Sequence, residues 1–175
     1  MTYPLRRTTL SFNRDYTACL VGFGNELATK TEPENIFIGL FNLYHLLNQA
    51  SYENLVYMSW NGGTSEAQVI FNNFTLGSSS TLYSISYSSA IEDSGGATTG
   101  FYPGTRFSAS GMDVNGCASM KHAPGWYDAQ CVGPSVFADQ LGWQINSVFQ
   151  TLDWFDFNIN RQSAYYDSPG TPLAG

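Results

Sequence analysis

The chain has 175 residues, of which 12% are charged and 15% aromatic, and its formal net charge is −7. This length predicts one domain with a sizeable core. The acidic balance excludes a nucleic-acid-binding protein, because Arg6, Arg7 and Lys30 form no basic patch. No segment reaches the ~20 apolar residues of a membrane-spanning helix. Sparse charge, many aromatic rings and 17 glycines are typical of an extracellular, sheet-rich protein with long loops.

The N-terminal part of the chain predicts one short helix. Residues 1–11 show no clear period and lack the apolar stretch of a secretory signal, so the signal has been removed or the chain is a piece of a longer protein. Phe12 to Leu20 predicts an amphipathic helix with Asn13 as its N-cap. Cys19 in this helix has three interpretations: a buried free thiol, a partner for upstream sequence, or a covalent link between two chains.

A strand and a second helix are predicted next. Ile36 to Leu40 is a short apolar run that predicts a buried strand. Asn42 follows as the N-cap of a helix from Leu43 to Gln49, whose leucines share one face. We interpret His45 in this helix as a structural or surface histidine, because no Cys, Asp or Glu stands at metal-ligand spacing from it.

An antiparallel meander occupies the middle of the chain. Asn54 to Trp60 and Glu66 to Phe74 predict two strands joined by a turn at residues 61–63. Leu82 to Ser88 predicts a half-buried strand, because large and small side chains alternate along it. Asn73 begins an Asn-Phe-Thr glycosylation sequon, which predicts a surface position in a secreted protein.

The segment after the glycine- and threonine-rich loop at residues 91–104 contains two of the three cysteines. Cys117 and Cys131 bracket a Pro-Gly turn and an aromatic pair. We interpret this as a disulfide-closed loop that forms a rigid binding surface, with two reduced, buried cysteines as the alternative. Asp113 and Asn115 precede it and provide either an ordinary turn or two oxygens of the roughly 6–8 that Ca²⁺ takes.

The C-terminal part predicts a final strand. Phe155, Phe157 and Ile159 alternate with polar residues, which indicates a strand that returns to the sheet, and residues 163–175 predict a loose tail. Asp153 and Asp156 are the acid pair of a candidate glycosidase. We interpret them as solvated, since no Ser-His-Asp, Cys-His or metal set accompanies them. The sequence therefore predicts a protein that is not an enzyme.

Five motifs in this order resemble the fibrinogen-related domain, the C-terminal globular module of fibrinogen chains, ficolins, tachylectins and angiopoietins. The resemblance covers residues 12–161. The matching stretches are Gly22-Phe23-Gly24-Asn25, the segment NIFIGLFNLYHLL from Asn35 to Leu47, Tyr52 to Gly77, Gly104 to Ser108 followed by Cys117-Ala118, and Gly125-Trp126-Tyr127-Asp128.

The resemblance implies an α+β fold, with a twisted antiparallel sheet, short helices and a loop-rich C-terminal subdomain. It implies one domain over residues 1–175 that lacks the usual N-terminal subdomain. A calcium site falls on Asp113 and Asn115, a disulfide joins Cys117 to Cys131, and a ligand pocket lies beside it. The implied pocket residues are His122, Trp126, Tyr127, Cys131 and Val132. The calcium loop is shorter than in the family and has one acid, and Val132 stands where acetyl-binding members carry histidine.

Two functions follow from these expectations. The first is a secreted, lectin-like module that binds carbohydrate or acetylated groups in the pocket beside the disulfide, where aromatic rings pack against sugar faces. The alternative is a structural or adhesive extracellular module that contacts proteins as an oligomer or with a partner chain. Such contacts would use Cys19 or an exposed sheet edge.

Overall fold

The computed structural model of the chain describes residues 2–7, 12–24, 35–92, 101–134, 136–145 and 148–161. The helices in these ranges are α1 (Tyr16–Val21), α2 (Leu40–Leu47) and α3 (Cys117–Lys121), and 3₁₀ turns lie at Ser79–Thr81 and Val114–Gly116. The strands are β1 (Thr2–Arg7), β2 (Phe23–Gly24), β3 (Ile36–Phe37), β4 (Tyr52–Trp60), β5 (Ser65–Asn72), β6 (Thr75–Leu76), β7 (Ile85–Ser86), β8 (Ser89–Glu92), β9 (Arg106–Ser108), β10 (Gly125–Tyr127), β11 (Gly142–Ile145) and β12 (Val148–Arg161). The tail at 163–175 and most of the predicted 91–104 loop lie outside the described residues.

One antiparallel sheet organises the fold. Among the described residues its order is β2-β3-β1-β12-β4-β5-β8, and β11 pairs with the first part of β12. The final strand, β12, lies at the centre, between β1 and β4. Phe155, Phe157 and Ile159 on it are buried, which confirms the predicted final strand, whereas Asn158 between them is buried as well and departs from the predicted alternation. Strand β1 falls in residues for which the sequence showed no period.

Helix α1 begins later than predicted. Its N-cap is Asp15, whose carboxylate accepts a hydrogen bond of 2.9 Å from the amide of Ala18, so the prediction of Asn13 as the cap was wrong. Phe12 is buried, with its ring centroid 4.9 Å from that of Phe23. The hydrophobic side chain at position 12 therefore packs in the core instead of starting a helix.

Helix α2 begins at Leu40, and the predicted strand before it shrinks to Ile36–Phe37. Gly39 occupies the N-cap position with φ +92° and lies against Gly22, since a Cβ on Gly39 would stand 2.5 Å from the Gly22 nitrogen. Asn42 lies in the first turn and donates to the carbonyl of Ile38, so it is not the cap. His45 is exposed and packs edge-on against another ring of the same helix, in keeping with a surface histidine.

The hairpin of β4 and β5 is confirmed, with its turn at residues 61–64. The strand predicted over Leu82 to Ser88 was wrong, because only Ile85–Ser86 pairs, with β6. Leu82 and Tyr83 follow a 3₁₀ turn and have φ of 55° and 48°, a left-handed conformation that a strand does not accommodate.

Cys19 is completely buried on α1, with 0% exposure. Burial raises the pKa of its thiol to about 12. The negative charge of Asp15 adds to this increase, and the positive charge of Arg14 partly opposes it. The structure therefore supports the interpretation of a buried free thiol. A link between chains through Cys19 does not fit this position.

One hydrophobic core joins the sheet to residues 101–143. The ring centroids of Trp143 and Phe155 are 5.5 Å apart, and those of Phe37 and Phe137 are 5.0 Å apart. Such aromatic pairs contribute roughly 0.5–1.5 kcal/mol each beyond the area they bury. The loop-rich segment is thereby anchored to the sheet.

None of the helices in the described ranges has the length and apolar character needed to cross a bilayer.

Candidate functional site

The disulfide between Cys117 and Cys131 is present, with the two Cα atoms 5.1 Å apart. It joins the first residue of α3 to the turn that follows β10. The two sulfur-bearing side chains and Tyr127 form a small buried cluster separate from the main core. The predicted disulfide-closed, aromatic-packed loop is therefore confirmed.

The short strand pair of β9 and β10 decides which side chains face the core. Phe107 lies opposite Trp126, and Arg106 lies opposite Tyr127. Directly opposed residues in an antiparallel pair share a face, and successive residues alternate. Phe107 and Trp126 accordingly pack in the core with ring centroids 4.8 Å apart, which leaves Arg106 and Tyr127 on the opposite face.

Trp126, a predicted pocket residue, is a core residue. Its ring contacts those of Phe101, Phe107 and Phe137, and its indole N–H donates to the backbone carbonyl of Tyr83. It lines neither of the two cavities described below. Its position supports the site from behind.

Tyr127 is held rigidly on the other face. Its hydroxyl donates to the carbonyl oxygens of Ala123 at 2.9 Å and Pro124 at 3.2 Å. Its ring covers Gly125, where a Cβ would come within 2.9 Å of the ring. Burial, together with the nearby charge of Asp113, raises the pKa of the Tyr127 hydroxyl, so it remains a neutral donor at physiological pH.

An open cavity of about 270 Å³ lies on this face, and we call it the Arg106 cavity. It forms where three segments meet: the loop before β9, the 3₁₀ turn before α3, and the end of β10 with the turn after it. Its lining residues are Tyr102, Pro103, Gly104, Thr105, Arg106, Val114, Asn115, Tyr127, Asp128 and Ala129.

Backbone hydrogen bonds to β7 fix the first wall of the Arg106 cavity. The amide of Gly104 donates to the carbonyl of Ile85 at 2.8 Å, and the amide of Ile85 donates to the carbonyl of Thr105 at 3.0 Å. Within the loop, the amide of Tyr102 donates to the hydroxyl of Thr105 at 3.2 Å. The loop is therefore ordered before any ligand arrives.

The second wall is fixed by side chains that bond to backbone groups. The hydroxyl of Ser108 accepts from the amide of Val114 at 3.2 Å and donates to its carbonyl at 3.4 Å. Asn115 next to it has φ 58° and an exposed side chain. Non-glycine residues adopt this left-handed region uncommonly, and Asn is enriched among those that do.

The third wall is the turn closed by Asp128. Its carboxylate oxygen Oδ1 accepts from the amides of Gln130 at 2.9 Å and Val132 at 2.8 Å. The amide of Cys131 donates to the Asp128 carbonyl at 3.0 Å. Cys131 and Val132, predicted as pocket residues, thus shape the turn behind the cavity and are not part of its lining.

His122 lies in a different place from Tyr127. It follows α3 with φ 51°, is exposed, and lines a second cavity of about 240 Å³. The other lining residues of this second cavity are Asn13, Ser110, Ala118, Ser119, Ala123 and Pro124. The structure therefore separates His122 from Tyr127, which the sequence had grouped in one pocket.

Asp113 stabilises the start of α3. Its carboxylate accepts from the amide of Ala118 at 2.7 Å, the amide of Ser119 at 2.9 Å and the hydroxyl of Ser119 at 2.6 Å. Burial alone would raise the pKa of Asp113, but these three hydrogen bonds outweigh burial and lower it. The carboxylate satisfies the free amides at the beginning of the helix.

The predicted calcium ligands do not fit a calcium site. Both oxygens of Asp113 already face N–H and O–H donors, which are the wrong partners for a cation, and Asn115 lines the Arg106 cavity whereas Asp113 does not. Among the described residues no three His, Cys, Asp or Glu side chains cluster as metal ligands do. Ca²⁺ takes roughly 6–8 oxygen ligands, so calcium binding receives no support from this donor set.

Two other predicted residues lie at the surface. Asn73 is exposed in a turn with φ 50°, and its side-chain amide donates to the hydroxyl of Ser88 at 2.9 Å; its glycosylation stays a prediction. Asp153 accepts from the amide of Gly63 at 3.0 Å, which ties β12 to the turn between β4 and β5. This contact gives the first acid of the considered glycosidase pair a structural role.

Sequence reasoning missed Tyr102, Arg106 and Asp128 as site residues. The sequence did contain a local indication. Within residues 101–112, Arg106 is the one charged residue and follows an aromatic residue and a Pro-Gly turn. Only the pairing of β9 with β10 shows that this arginine reaches the face of Tyr127.

Comparisons with known proteins identify the fold. No protein-family model and no curated protein matches the sequence. Among solved structures, the chain is similar to the fibrinogen-like globe domain of human ANGPTL6, with TM-score 0.74 and 20% identity over 91% of this chain and 77% of that one. It is also similar to the fibrinogen-like globe domain of human ANGPTL2, with TM-score 0.78 and 22% identity over 91% and 79%.

A third similar structure is the lamprey fibrin D-dimer complexed with the peptide ligand Gly-His-Arg-Pro-amide, with TM-score 0.75 and 18% identity over 98% of this chain and 66% of that one. These likenesses show that the chain has the fold of fibrinogen-like globe domains. The predicted α+β class and the resemblance on which it rested are confirmed at the level of fold.

Proposed function

We propose that the protein is an extracellular recognition module that binds a carbohydrate unit, including acetylated sugars, in the Arg106 cavity. The observation that carries this proposal is the cavity itself, which is open, lies beside the Cys117–Cys131 disulfide and contains Tyr102, Asn115 and Tyr127. A disulfide is stable in an oxidising compartment, which supports a position outside the cell.

The size and lining of the cavity suit a sugar. Its volume of about 270 Å³ lies just below the roughly 300–1,000 Å³ of sites for drug-sized ligands, so one sugar ring with a substituent is an appropriate ligand. Tyr102 is 46% exposed and offers an aromatic face to the apolar face of a sugar. Asn115, Arg106 and Asp128 supply polar groups that orient hydroxyls.

The rigidity of the cavity walls supports a role in ligand binding. Hydrogen bonds to Ile85, Ser108 and the Asp128 carboxylate hold the three walls in place. A pre-ordered site loses less conformational freedom when a ligand binds. Affinity at one such site is expected to be modest, and oligomerisation would raise it through multivalency.

A glycan array with an artificially oligomerised chain tests this proposal. We expect binding that is unchanged by EDTA, because the cavity walls are held by hydrogen bonds between protein groups. Tyr102→Ala removes the exposed aromatic face and should abolish most of the signal. Phe149→Ala is the matched control, since Phe149 is also 46% exposed but lies on β12.

The proposal would be contradicted if no neutral, acetylated or acidic glycan were bound. Equal signals from Tyr102→Ala and Phe149→Ala would also contradict it. Calcium binding at Asp113 and Asn115, which the resemblance implied, stays a prediction that this donor set does not favour. Its test is the thermal unfolding midpoint with and without millimolar calcium, where any bound ion stabilises the folded state. The occupied Asp113 carboxylate leads us to expect no shift.

Protein contact through a sheet edge is the second candidate function. Strand β8 ends the order of the described sheet, and Ile91 on it is 59% exposed. An exposed apolar edge strand presents unpaired backbone groups to another chain. The lamprey fibrin structure, which shares the fold, is complexed with a peptide. Sedimentation of the native chain and of Ile91→Lys tests this idea; a monomer at every concentration, with Ile91→Lys indistinguishable from it, would oppose it.

A further inference from the structure

Arg106 is the one described cationic side chain that lines either cavity. Two other cations whose side chains are described, Arg14 and Lys121, are placed elsewhere. Arg14 lies over the ring of Phe23, at 5.5 Å from the centroid, and donates to the carbonyl of Asn13, whereas Lys121 lies exposed at the end of α3. Of the cationic side chains that are described, Arg106 is therefore the one that a ligand in the cavity would meet.

This guanidinium has no carboxylate partner among the described residues, although the chain carries a formal charge of −7. Asp128 lines the same cavity, but its Oδ1 accepts from the amides of Gln130 and Val132 and so holds the turn. An exposed cation left unpaired in an acidic protein, on the wall of a cavity, is available to an anion from outside.

The backbone fixes where this cation stands. Arg106 begins β9 and is paired with Tyr127 of β10, and the loop before it is bonded to Ile85. The arginine stem therefore rises from a rigid strand pair beside Tyr102 and Asn115. Arginine presents a planar set of donors that matches a carboxylate through two parallel hydrogen bonds.

We propose that the sugar bound in the Arg106 cavity carries a carboxylate. Arg106 determines this specificity, because its guanidinium binds the carboxylate group. The inference rests on the proposed function and deepens it, because it assigns the ligand to the class of acidic sugars. Negative charge over the rest of the chain disfavours non-specific binding of anions. Recognition of an acidic sugar therefore depends on this one local cation.

The test compares matched oligosaccharides that end in glucuronate, in sialic acid, in glucose and in sulfated galactose. We expect the two carboxylate-bearing glycans to bind roughly tenfold more tightly than the glucose-terminated one, because hydrogen bonds between two charged groups are stronger than those between neutral groups. Sulfated galactose carries a tetrahedral anion that arginine can also bind through two hydrogen bonds, so it shows whether the cavity selects a carboxylate or accepts any such anion. Tighter binding of the sulfated glycan than of both carboxylates overturns the proposal.

Arg106→Gln should reduce binding of the acidic glycans to the level of the glucose-terminated one, and Arg106→Lys should restore part of it by returning the charge without the planar donors. Lys121→Gln is the control, because it makes the same change in net charge outside the cavity. Equal loss in Lys121→Gln and Arg106→Gln, or no loss in Arg106→Gln, overturns the proposal.

A competition experiment on the native chain does not depend on any variant folding. Free glucuronate should displace a bound acidic glycan at concentrations roughly tenfold below those of free glucose. Equal inhibition by the two sugars, or tighter binding of an acidic peptide than of every acidic sugar, overturns the inference. Persistent binding of neutral glycans would then leave the proposed function intact, whereas silence on all glycans overturns both.

Discussion

The indole Nε1 of Trp126 lies 2.9 Å from the backbone carbonyl oxygen of Tyr83 and donates a hydrogen bond to it. Trp126 belongs to the disulfide-closed segment, and Tyr83 belongs to the turn after the β6 region in which φ is positive. One buried hydrogen bond therefore connects the strand pair that carries the candidate site with the turn against which that pair packs.

Trp126→Phe tests the energetic weight of this contact. The substitution keeps an aromatic ring in the core but leaves the Tyr83 carbonyl buried without its donor, so we expect a loss of about 1–3 kcal/mol in the free energy of unfolding. Chemical denaturation measures it. Trp154→Phe is the control, because Trp154 is only half-buried on β12, so the same change of side chain should cost less there.

Loss of the disulfide should both destabilise the chain and loosen the candidate site. Cys117 and Cys131 are separated by 14 positions, and a loop of about this length is worth roughly 3 kcal/mol when it is cross-linked. We expect Cys117→Ser with Cys131→Ser to lower the free energy of unfolding by that amount. A reducing agent should reproduce the effect in the native chain and add nothing in the double variant.

Asp113→Asn should weaken the start of α3 in a pH-dependent way. The lowered pKa of Asp113 means that its ionised form stabilises the fold above its ordinary value of 3.8, and that this stabilisation is lost as the pH falls through the lowered value. Asp113→Asn replaces one carboxylate oxygen by a donor amide that cannot accept from Ser119, so we expect it to cost about 1 kcal/mol at pH 7 and less in strong acid, where the native carboxyl is also protonated.

Urea denaturation of both proteins from pH 7 down to about pH 2.5, a range that brackets the ordinary pKa of an Asp carboxyl, provides the measurement. Ser119→Ala removes one of the three donors and serves as a graded comparison. A stability difference between the native chain and Asp113→Asn that stays constant over the whole range would mean that the carboxylate charge does not stabilise α3.

The thiol of Cys19 should be unreactive in the folded chain. It is fully buried, and its pKa of about 12 leaves almost no thiolate at pH 8. A chromogenic thiol reagent should detect no free thiol under native conditions and one per chain after unfolding. Rapid native labelling, or a disulfide-linked dimer on non-reducing electrophoresis, would contradict the buried position.

Local sequence patterns were sufficient to predict those structural features that depend only on residues close together in the chain. The β4–β5 hairpin was predictable because Asn61, Gly62 and Gly63 form a turn between two apolar runs. The position of a helix start was not, since Asn13 and Asp15 are both good N-caps and only the burial of Phe12 decides between them. Likewise, the alternation from Leu82 to Ser88 predicted inward and outward faces but not the left-handed backbone at Tyr83.

The sequence by itself determined the cysteine-bracketed aromatic segment, the alternating final strand and the order of motifs that resembles fibrinogen-related domains, because each depends on spacing along the chain. Only the tertiary structure decided that Trp126 is core, that Tyr127 and His122 line different cavities, and that Arg106 stands beside Tyr102 and Asn115. The reason is physical. A binding site is made of residues brought together from separate segments, and which face of β9 and β10 each side chain takes depends on strand register, which no single segment contains.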